Sequence, residues 1–382
     1  MANGYCPALL LHMEALAGCD NAKRLQPNGF LQSVLSNMDD SIALNSGYAN
    51  GHTRPTTVAF RRRPLASDTV DGFPDCNIAT TSPYAEFALP QLFTKSRSFW
   101  IPSSTIRQYC SDVSEYVTIG TANTTSMNKQ TQVMKEVYDV ILAEVGALVT
   151  SIDAALVTQM STQWGVNAVT GTATAVPLTF SLSTNGMQDA FVRLMSDARI
   201  NEFCDADGIS LVGNGPFSDL SLIKKWFTDC CSANGVNKSV LMDGFPNIFY
   251  DRNTTSIWGA NHIGMFEKGS TALITAPQYV GNFAGRIATS EYFSMNVPVA
   301  DYCCPQEFLD RLAIDVQIKE MDCNPMLQLD GAAAPAAVGG PGVLVMISWT
   351  GTLFVRPTNM YNTGDPLAGS NGTLHYIITA TP

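Results

Sequence analysis

The stretch VMKEVYDVILAEVGALVTSIDAALVTQMSTQWG, residues 133–165, decides the fold of this chain. Its large apolar residues recur in steps of three and four, which is the spacing of one face of an α-helix. These residues are Val137, Ile141, Val145, Leu148, Ile152, Leu156 and Met160. A glycine that follows the last apolar residue is a common helix end. The spacing therefore predicts one long helix over 128–165 that ends at Gly165.

The opposite face of this predicted helix is small and almost neutral. Between Val140 and Trp164, the only charged residues are Glu144 and Asp153. A helix exposed to water carries charges over its outer face, and a coiled coil carries them beside its seam. Two interpretations remain open: the chain itself buries this face, or another chain lies across it. The face consists of Ala143, Gly146, Thr150, Asp153, Val157 and Ser161.

The composition is unusual in its low charge. Charged residues make up 14% of the 382 residues, against about 25% in typical soluble domains. Such a weakly solvated surface fits either a chain that is largely covered by copies of itself or an acidic, secreted, β-rich protein. The net charge of −11 argues against a protein whose main task is to grip nucleic acid, because neutralising phosphates needs a surplus of Lys and Arg.

Signatures of catalysis and metal binding are absent from the sequence. It contains no G-x-S-x-G elbow and no H-E-x-x-H motif, and the pairs Cys230-Cys231 and Cys303-Cys304 lack the two-residue gap of zinc clamps. We therefore expect no catalytic residue, no cofactor, no metal and reduced, mostly buried thiols. An enzyme of unrecognised class is the third interpretation of function. The histidines stand apart from Cys, Asp and Glu clusters; they are His12, His52, His262 and His375.

The N-terminal segment CPALLLHMEALAGC, residues 6–19, is apolar but short. It lacks a basic leader and is interrupted by His12 and Glu14. We find no apolar run of the roughly 18 residues that a membrane span needs. The sequence therefore predicts neither a secretion signal nor a membrane partner.

The segments before the long helix look unable to fold alone. Residues 1–55 contain one short amphipathic helix, FLQSVLSNMDDSIAL, and are interpreted as an arm. Residues 56–101 contain two predicted strands, TTVAFRR and AEFALPQLFT, separated by a long loop. An isolated two-stranded hairpin is marginal in water, so this segment needs a partner surface.

The rest of the chain alternates between predicted strands and helices. A strand and a helix follow the long helix in AVPLTFSLSTNGMQDAFVRLMSDARINEF, and GISLV is expected to be a buried strand. Short strands surround a turn predicted at Arg252-Asn253, and LDRLAIDVQIKEMDC, VLVMISWTGTLFVRP and GTLHYIITATP are further strands. The class is therefore α+β with one dominant helix.

This order of parts resembles the major capsid proteins of tailed double-stranded DNA phages, which have the Hong Kong 97 (HK97) fold. NIFYDRN…GANHIGMFEKGS is similar to the axial-domain hairpin region of that family, and AIDVQIKEMDC is similar to a later strand. The resemblance implies an N-terminal arm (1–55), an extended β-hairpin loop or E-loop (56–101), a peripheral (P) domain (102–204) with the spine helix, and an axial (A) domain (205–340). The C-terminal strands (341–382) would return to the peripheral domain.

The resemblance also implies a function. Such proteins self-assemble into hexamers and pentamers that form an icosahedral shell around phage double-stranded DNA, so this chain would be made in a host cytoplasm and reside in the virion capsid. Its expected partners are other copies of itself, scaffolding, portal or decoration proteins, and non-specifically packaged DNA. A secreted or surface β-rich binding protein is the alternative.

Two groups of residues are candidates for contacts between subunits. In the HK97 fold the extended loop of one subunit lies over the spine helix of its neighbour, so Gly146, Thr150 and Val157 would receive residues 56–101 of another copy. The second group is the one basic cluster of this acidic chain, whose guanidinium groups suit a carboxylate patch on a partner. It consists of Arg61, Arg62 and Arg63.

Overall fold

A computed structural model of the chain describes residues 28–37, 42–46, 55–61, 84–102, 127–181, 184–203, 209–214, 247–278, 285–287, 290–298, 311–321, 341–358, 367 and 369–381. These residues fall into two compact units. The first takes Leu92–Ile152 and Thr275–Gly351, and the second takes Asn28–Gln91, Asp153–Ile274 and Thr352–Pro382.

The described elements mix four helices with runs of consecutive strands, which fits the expected α+β class. In chain order they are α1 (Gly29–Ser36), β1 (Ile42–Ser46), β2 (Pro55–Arg61), β3 (Tyr84–Ala88), β4 (Phe93–Pro102), α2 (Met127–Met160), β5 (Val176–Ser181), α3 (Thr184–Ile200), β6 (Ile209–Gly213), β7 (Asn247–Tyr250), α4 (Asn253–Ile257), β8 (His262–Glu267), β9 (Thr271–Thr275), β10 (Gly285–Ile287), β11 (Ser290–Pro298), β12 (Arg311–Met321), β13 (Gly342–Val355) and β14 (Thr373–Thr381).

The first unit is built on antiparallel strands in the order β10-β11-β12-β13-β4. Alternate residues of β13 from Val343 to Trp349 are buried, as the period of two in a strand requires. Arg97 of β4 lies opposite Ile347 of this buried row. Its Nε donates a hydrogen bond to Glu144 of α2, at 2.9 Å. The buried face of the sheet is therefore the face turned toward α2.

The second unit contains a mixed sheet with the strand order β5-β14-β8-β6-β7. β14 runs parallel to β5 and antiparallel to β8, while β6 runs antiparallel to β8 and parallel to β7. α3 packs against β5, and α1 packs against β6 and β7. The core of this sheet consists of Leu178, Leu194, Ala198, Phe203, Ile209, Leu211, Ile263, Met265, Leu374, Tyr376 and Ile378.

The extended loop contributes to a three-stranded sheet with the order β1-β2-β3. The two strands predicted in the loop do pair, as β2 and β3, in antiparallel register. Val58 of β2 is fully buried and belongs to a core cluster with Ala272, Ile274 and Phe354. The chain itself therefore supplies part of the partner surface that the sequence required.

Three segments differ from the sequence-based expectations. Ile42–Ser46 is strand β1 rather than the end of the arm helix, because it pairs with β2 and Ile42 packs against the cluster around Val58. Phe93–Pro102, expected at the end of the extended loop, is β4 and pairs along its whole length with β13. The turn predicted at Arg252-Asn253 opens the short helix α4.

The long helix was predicted over 128–165, and α2 spans Met127–Met160. The prediction that it continues to Gly165 is wrong. After Met160 the chain enters a turn, in which Gln163 N donates to Met160 O at 3.0 Å. Gly165 serves a close approach instead of a helix end, because a Cβ atom there would lie 2.2 Å from Oδ1 of Asn371. Asn371 Nδ2 in turn donates to Gln163 O, at 2.8 Å.

Candidate functional site

The basic cluster is described at one position only. Arg61 is the last residue of β2 and lies opposite Tyr84 of β3 in the register. Arg62 and Arg63 lie outside the described residues, as do all ten cysteines of the chain. The contact of this cluster with a carboxylate patch therefore stays a prediction.

The first half of the small-residue face of α2 is partly open. Gly146 and Thr150 are half-buried and Ala143 is exposed, although the apolar stripe beside them is buried, with Val145 1% and Val149 0% exposed. This part of α2 belongs to the first unit. A half-buried helix face of small side chains has room for further contacts, so Gly146 and Thr150 remain candidates for contact with another subunit.

The second half of the same face is closed. Asp153 and Val157 are both 0% exposed within the second unit. Trp258 donates its indole Nε1 to the backbone oxygen of Val157, at 3.0 Å. Gln159 binds β13 twice: its Oε1 accepts from Leu353 N at 3.0 Å, and its Nε2 donates to Thr352 Oγ1 at 3.2 Å. Val157 therefore leaves the set of candidate contacts, because the chain itself covers it.

One sheet face of the first unit carries no charge on β4 or on the facing part of β13. We call it the outer sheet face, because its residues alternate with the row that faces α2. Met346 is 38% exposed; Trp100 lies across Gly342, where a Cβ atom would come within 2.4 Å of the indole ring. The outer sheet face consists of Thr94, Ser96, Ser98, Trp100, Leu344, Met346, Ser348 and Thr350.

Two acidic residues meet inside the second unit. Asp153 of α2 and Asp251, which follows β7, are both 0% exposed, and Asn253 bridges them, because its N donates to Asp251 Oδ1 and its Nδ2 donates to Asp153 Oδ2. Burial raises the pKa of both carboxyl groups, and the neighbouring Asp251 raises that of Asp153 further. The sequence placed Asp153 on the neutral helix face, but nothing in the linear order indicated that Asp251 lies beside it.

Two histidines form a pair, so the expectation that each histidine stands alone is wrong for them. His262 Nδ1 lies 2.8 Å from His375 Nε2, which makes one ring the donor and the other the acceptor. Trp164 stacks on His375 with ring centroids 4.4 Å apart. The pKa of His375 is lowered to about 4, mainly by burial and to a smaller extent by the neighbouring His262. The pair is therefore neutral at neutral pH and serves packing. The antiparallel pairing of β8 with β14, which brings the two rings together, has no signal in the sequence.

Metal binding and membrane crossing can be judged only for the described residues. Within them, no group of three or more His, Cys, Asp or Glu side chains could hold a metal ion. The segment Asp139–Met160 has 22 residues and could cross a membrane by its length and composition, contrary to the expectation that no such run exists. Half of it is buried inside the fold, and the hydrogen bonds of Asp153 favour a core helix.

This chain is similar to solved structures of capsids and of a virus-like particle. The capsid of the cyanophage P-SCSP1u is 10% identical with a TM-score of 0.35, covering 88% of this chain and 89% of that chain. The capsid of the Myoviridae phage XM1 is 12% identical with a TM-score of 0.32, covering 92% and 91%. A virus-like particle from Pyrococcus furiosus is 11% identical with a TM-score of 0.31, covering 97% and 96%.

The solved structures that this chain is similar to are phage capsids and a virus-like particle. No protein-family model and no curated protein matches the sequence. A TM-score below 0.5 does not establish a shared fold, so we base the proposed function on the residues of the chain itself.

Proposed function

We propose that this chain is a major capsid protein whose copies assemble into hexamers and pentamers and form an icosahedral shell around double-stranded phage DNA. It is made in the host cytoplasm and resides in the virion capsid. Its partners are other copies of itself, with scaffolding, portal or decoration proteins and packaged DNA as further contacts. The division into an arm, an extended loop, a peripheral domain and an axial domain of the HK97 type is part of this proposal, and the role is structural rather than enzymatic.

The observation that carries the proposal is that the outer sheet face of the first unit is uncharged along β4 and the facing part of β13. Thr94 and Ser96 are exposed and Trp100 and Leu344 are half-buried, yet no residue of β4 or β13 on this face is charged. Cores of protein interfaces are depleted in charged residues and enriched in aromatic residues and Met. Covering the β4 and β13 part of this face removes no charge from water, and the exposed Lys319 of β12 lies at its border, opposite Leu344. Trp100 and Met346 gain apolar burial there. The face therefore suits a permanent contact with another protein surface.

A second feature supports repeated contact between identical chains. Gly146 and Thr150 leave part of α2 half-buried in the first unit, and charged residues make up only 14% of the whole chain. A monomer with this composition would expose a weakly solvated surface. Only the repulsion between monomers that each carry a net charge of −11 would oppose its aggregation. An assembly removes much of that surface from water in a defined geometry.

The direct test is to image and weigh the purified full chain. Negative-stain microscopy and native mass spectrometry should show capsomers, closed shells or tubes, and particles recovered from infected cells should contain nuclease-protected DNA. A discrete monomer or dimer at all protein concentrations would contradict the proposal and favour the binding-protein or enzyme alternatives.

A matched pair of variants connects assembly to the outer sheet face. Met346→Glu places a charge on this face and should abolish shells while the free subunit keeps its circular dichroism spectrum and melting temperature. Val169→Glu makes the same kind of change at a valine of the second unit that is 48% exposed, and it should assemble normally. Normal shells from Met346→Glu would remove the outer sheet face from the proposal.

A further inference from the structure

The acid pair, which we define as Asp153 and Asp251, holds the N-terminal end of α1. The amide of Phe30 donates to Oδ2 of Asp251 at 2.7 Å, and the amide of Leu31 donates to Oδ1 of Asp153 at 2.9 Å. The first amides of a helix have no partner within the helix, and the residue before α1, Asn28, provides no side-chain cap. Both acids come from distant parts of the sequence, so they replace a local cap.

Every oxygen of the acid pair already accepts a hydrogen bond from an uncharged N–H group. Besides the two helix amides, Asn253 N donates to Oδ1 of Asp251 at 2.6 Å, and Asn253 Nδ2 donates to Oδ2 of Asp153 at 2.6 Å. A metal ion needs oxygen atoms whose lone pairs face it, and here N–H groups occupy that space. The pair therefore has no room for a cation among its described contacts.

The surrounding elements supply no compensating charge. The sequences of α1, GFLQSVLS, and α4, NTTSI, contain no titratable residue. Beside Asp251 in the sequence, Tyr250 and Arg252 are exposed, and no described cation contributes to the pKa of either acid. Two adjacent ionised carboxylates without a cation would repel strongly at this depth, where water screens little.

We propose that Asp153 and Asp251 share one proton, and that this proton latches the N-terminal end of α1 to the second unit, so that the latch opens when the proton is lost. In the closed state, one protonated carboxyl group donates to the other, and the remaining lone pairs accept from Phe30 and Leu31. Loss of the proton places two negative charges in contact, and separation of α1 lets water reach them.

The two ends of α1 are held differently, which makes the latch local. At the far end, Asn37 accepts a hydrogen bond from Ser210 Oγ at 2.8 Å on its side chain, and another from Gly269 N at 2.8 Å on its backbone oxygen. These bonds involve no titratable group. Deprotonation should therefore release Phe30 and Leu31 before it affects the bonds of Asn37.

The sign of the pH dependence follows from the raised pKa of Asp153. An Asp in an unfolded or opened chain loses its proton near pH 3.9, whereas burial and the neighbouring acid raise the pKa of Asp153 well above that in the closed state. Opening releases a proton between these two pKa values, so the latch weakens by about tenfold per pH unit as the pH rises through this window. Below the window the latch keeps its full strength.

Hydrogen exchange of the full chain tests the proposal. In the wild-type chain, the protection of the Phe30 and Leu31 amides, corrected for the intrinsic exchange rate, should fall by about tenfold for each unit that the pH rises through this window. Protection of the Gly269 amide, which binds Asn37, should not follow this profile. The proposal is overturned if protection of Phe30 and Leu31 in the wild-type chain does not change with pH. It is also overturned if protection of Gly269 falls with pH in the same way as theirs.

Variants sharpen this test. Asp153→Asn preserves the shape of the side chain, and its amide oxygen still accepts from Leu31 N. Its NH₂ group can donate to Asp251 at every pH, provided that the side-chain amide of Asn253 rotates by 180° to avoid it. The pH dependence of exchange should therefore disappear in this variant. Asp139→Asn, at an exposed acid on the same helix, should keep the wild-type slope. A wild-type slope in Asp153→Asn would contradict a shared proton. If Asp153→Asn does not fold, the comparison of Phe30 and Leu31 with Gly269 in the wild-type chain still decides the question.

Discussion

The two halves of α2 carry the same kind of sequence but differ in burial. In the first half, the small-residue face is half-buried at Gly146 and Thr150. In the second half, the equivalent face is fully buried at Asp153 and Val157. Small neutral residues on the second face of a helix therefore show that something packs there, but they do not show whether the partner is the same chain or another one.

The difference lies in what each half meets. The second half receives polar groups that match its own, because Trp258 and Leu353 donate to the backbone oxygen of Val157 and to the side chain of Gln159. At the edge of the first half, Arg97 forms an ion pair with Glu144. The following four predictions test this contrast.

The largest effect is expected from a charge placed in the fully buried second half of the small-residue face of α2. Val157→Asp would bury a carboxylate without a partner and should lower the free energy of unfolding by about 3–5 kcal/mol. Ala143→Asp makes a similar change at an exposed position of the open half and should cost less than about 0.5 kcal/mol. Denaturant unfolding of the unassembled chain measures both. Equal losses would mean that the two halves do not differ in burial.

A larger side chain in the half-buried first half of α2 should affect assembly rather than folding. Thr150→Trp should leave the free subunit melting within a few degrees of the wild type, while its threshold concentration for assembly rises, because overpacking a filled contact costs about 1–3 kcal/mol. Thr158→Trp, at an exposed position of the same helix, is the control and should assemble normally. A fall of several degrees in the melting temperature of free Thr150→Trp would instead place Thr150 inside the subunit.

A smaller effect is expected from the indole hydrogen bond that closes the second half. Trp258→Phe removes the donor to Val157 O and should cost about 1 kcal/mol beyond the lost packing. Trp349→Phe removes a buried indole N–H without a hydrogen-bond partner among the described residues, so it controls for the change in volume. The difference between their unfolding free energies measures the hydrogen bond, and a difference of zero would show that the bond adds no stability.

The smallest effect is expected from the ion pair of the open half. The side chains of Arg97 and Glu144 are 45% and 26% exposed, and exposed pairs of this kind contribute about 0–1 kcal/mol. Arg97→Met keeps the apolar stem and should lower stability by no more than that, with the loss shrinking as salt is added. A loss of several kcal/mol at high salt would mean that Arg97 has a structural role in the sheet.

Helical and strand periodicity predicted most of the described elements. The steps of three and four gave α2 to within one residue at its start, and the alternation in LDRLAIDVQIKEMDC and VLVMISWTGTLFVRP predicted β12 and β13. The misses occurred where a distant partner overrode local preference. Ile42 pairs with β2, and the helix ends at Met160, after which Asn371 packs closely against Gly165.

The polar clusters could not be predicted, because their members lie far apart in the sequence. Asp153 and Asp251 meet through the packing of α2 against the segment after β7, and His262 and His375 meet through the pairing of β8 with β14. A weak signal existed for one of them: Asp153 is one of two charges in a long neutral stretch, and a lone charge on an apolar helix must find hydrogen bonds if it is buried.

The sequence by itself determined that this chain has one long helix, a mixed set of strands and too little charge to leave all its surface in water. These properties are local or additive: periodicity fixes which side of an element is apolar, and composition fixes how much surface water can solvate. Only the tertiary structure decided that Val157 is fully buried by its own chain while Thr150 is half-buried, and that two acids meet at the end of α1. Such outcomes depend on which distant groups supply matching hydrogen bonds, and spacing along the chain does not encode that.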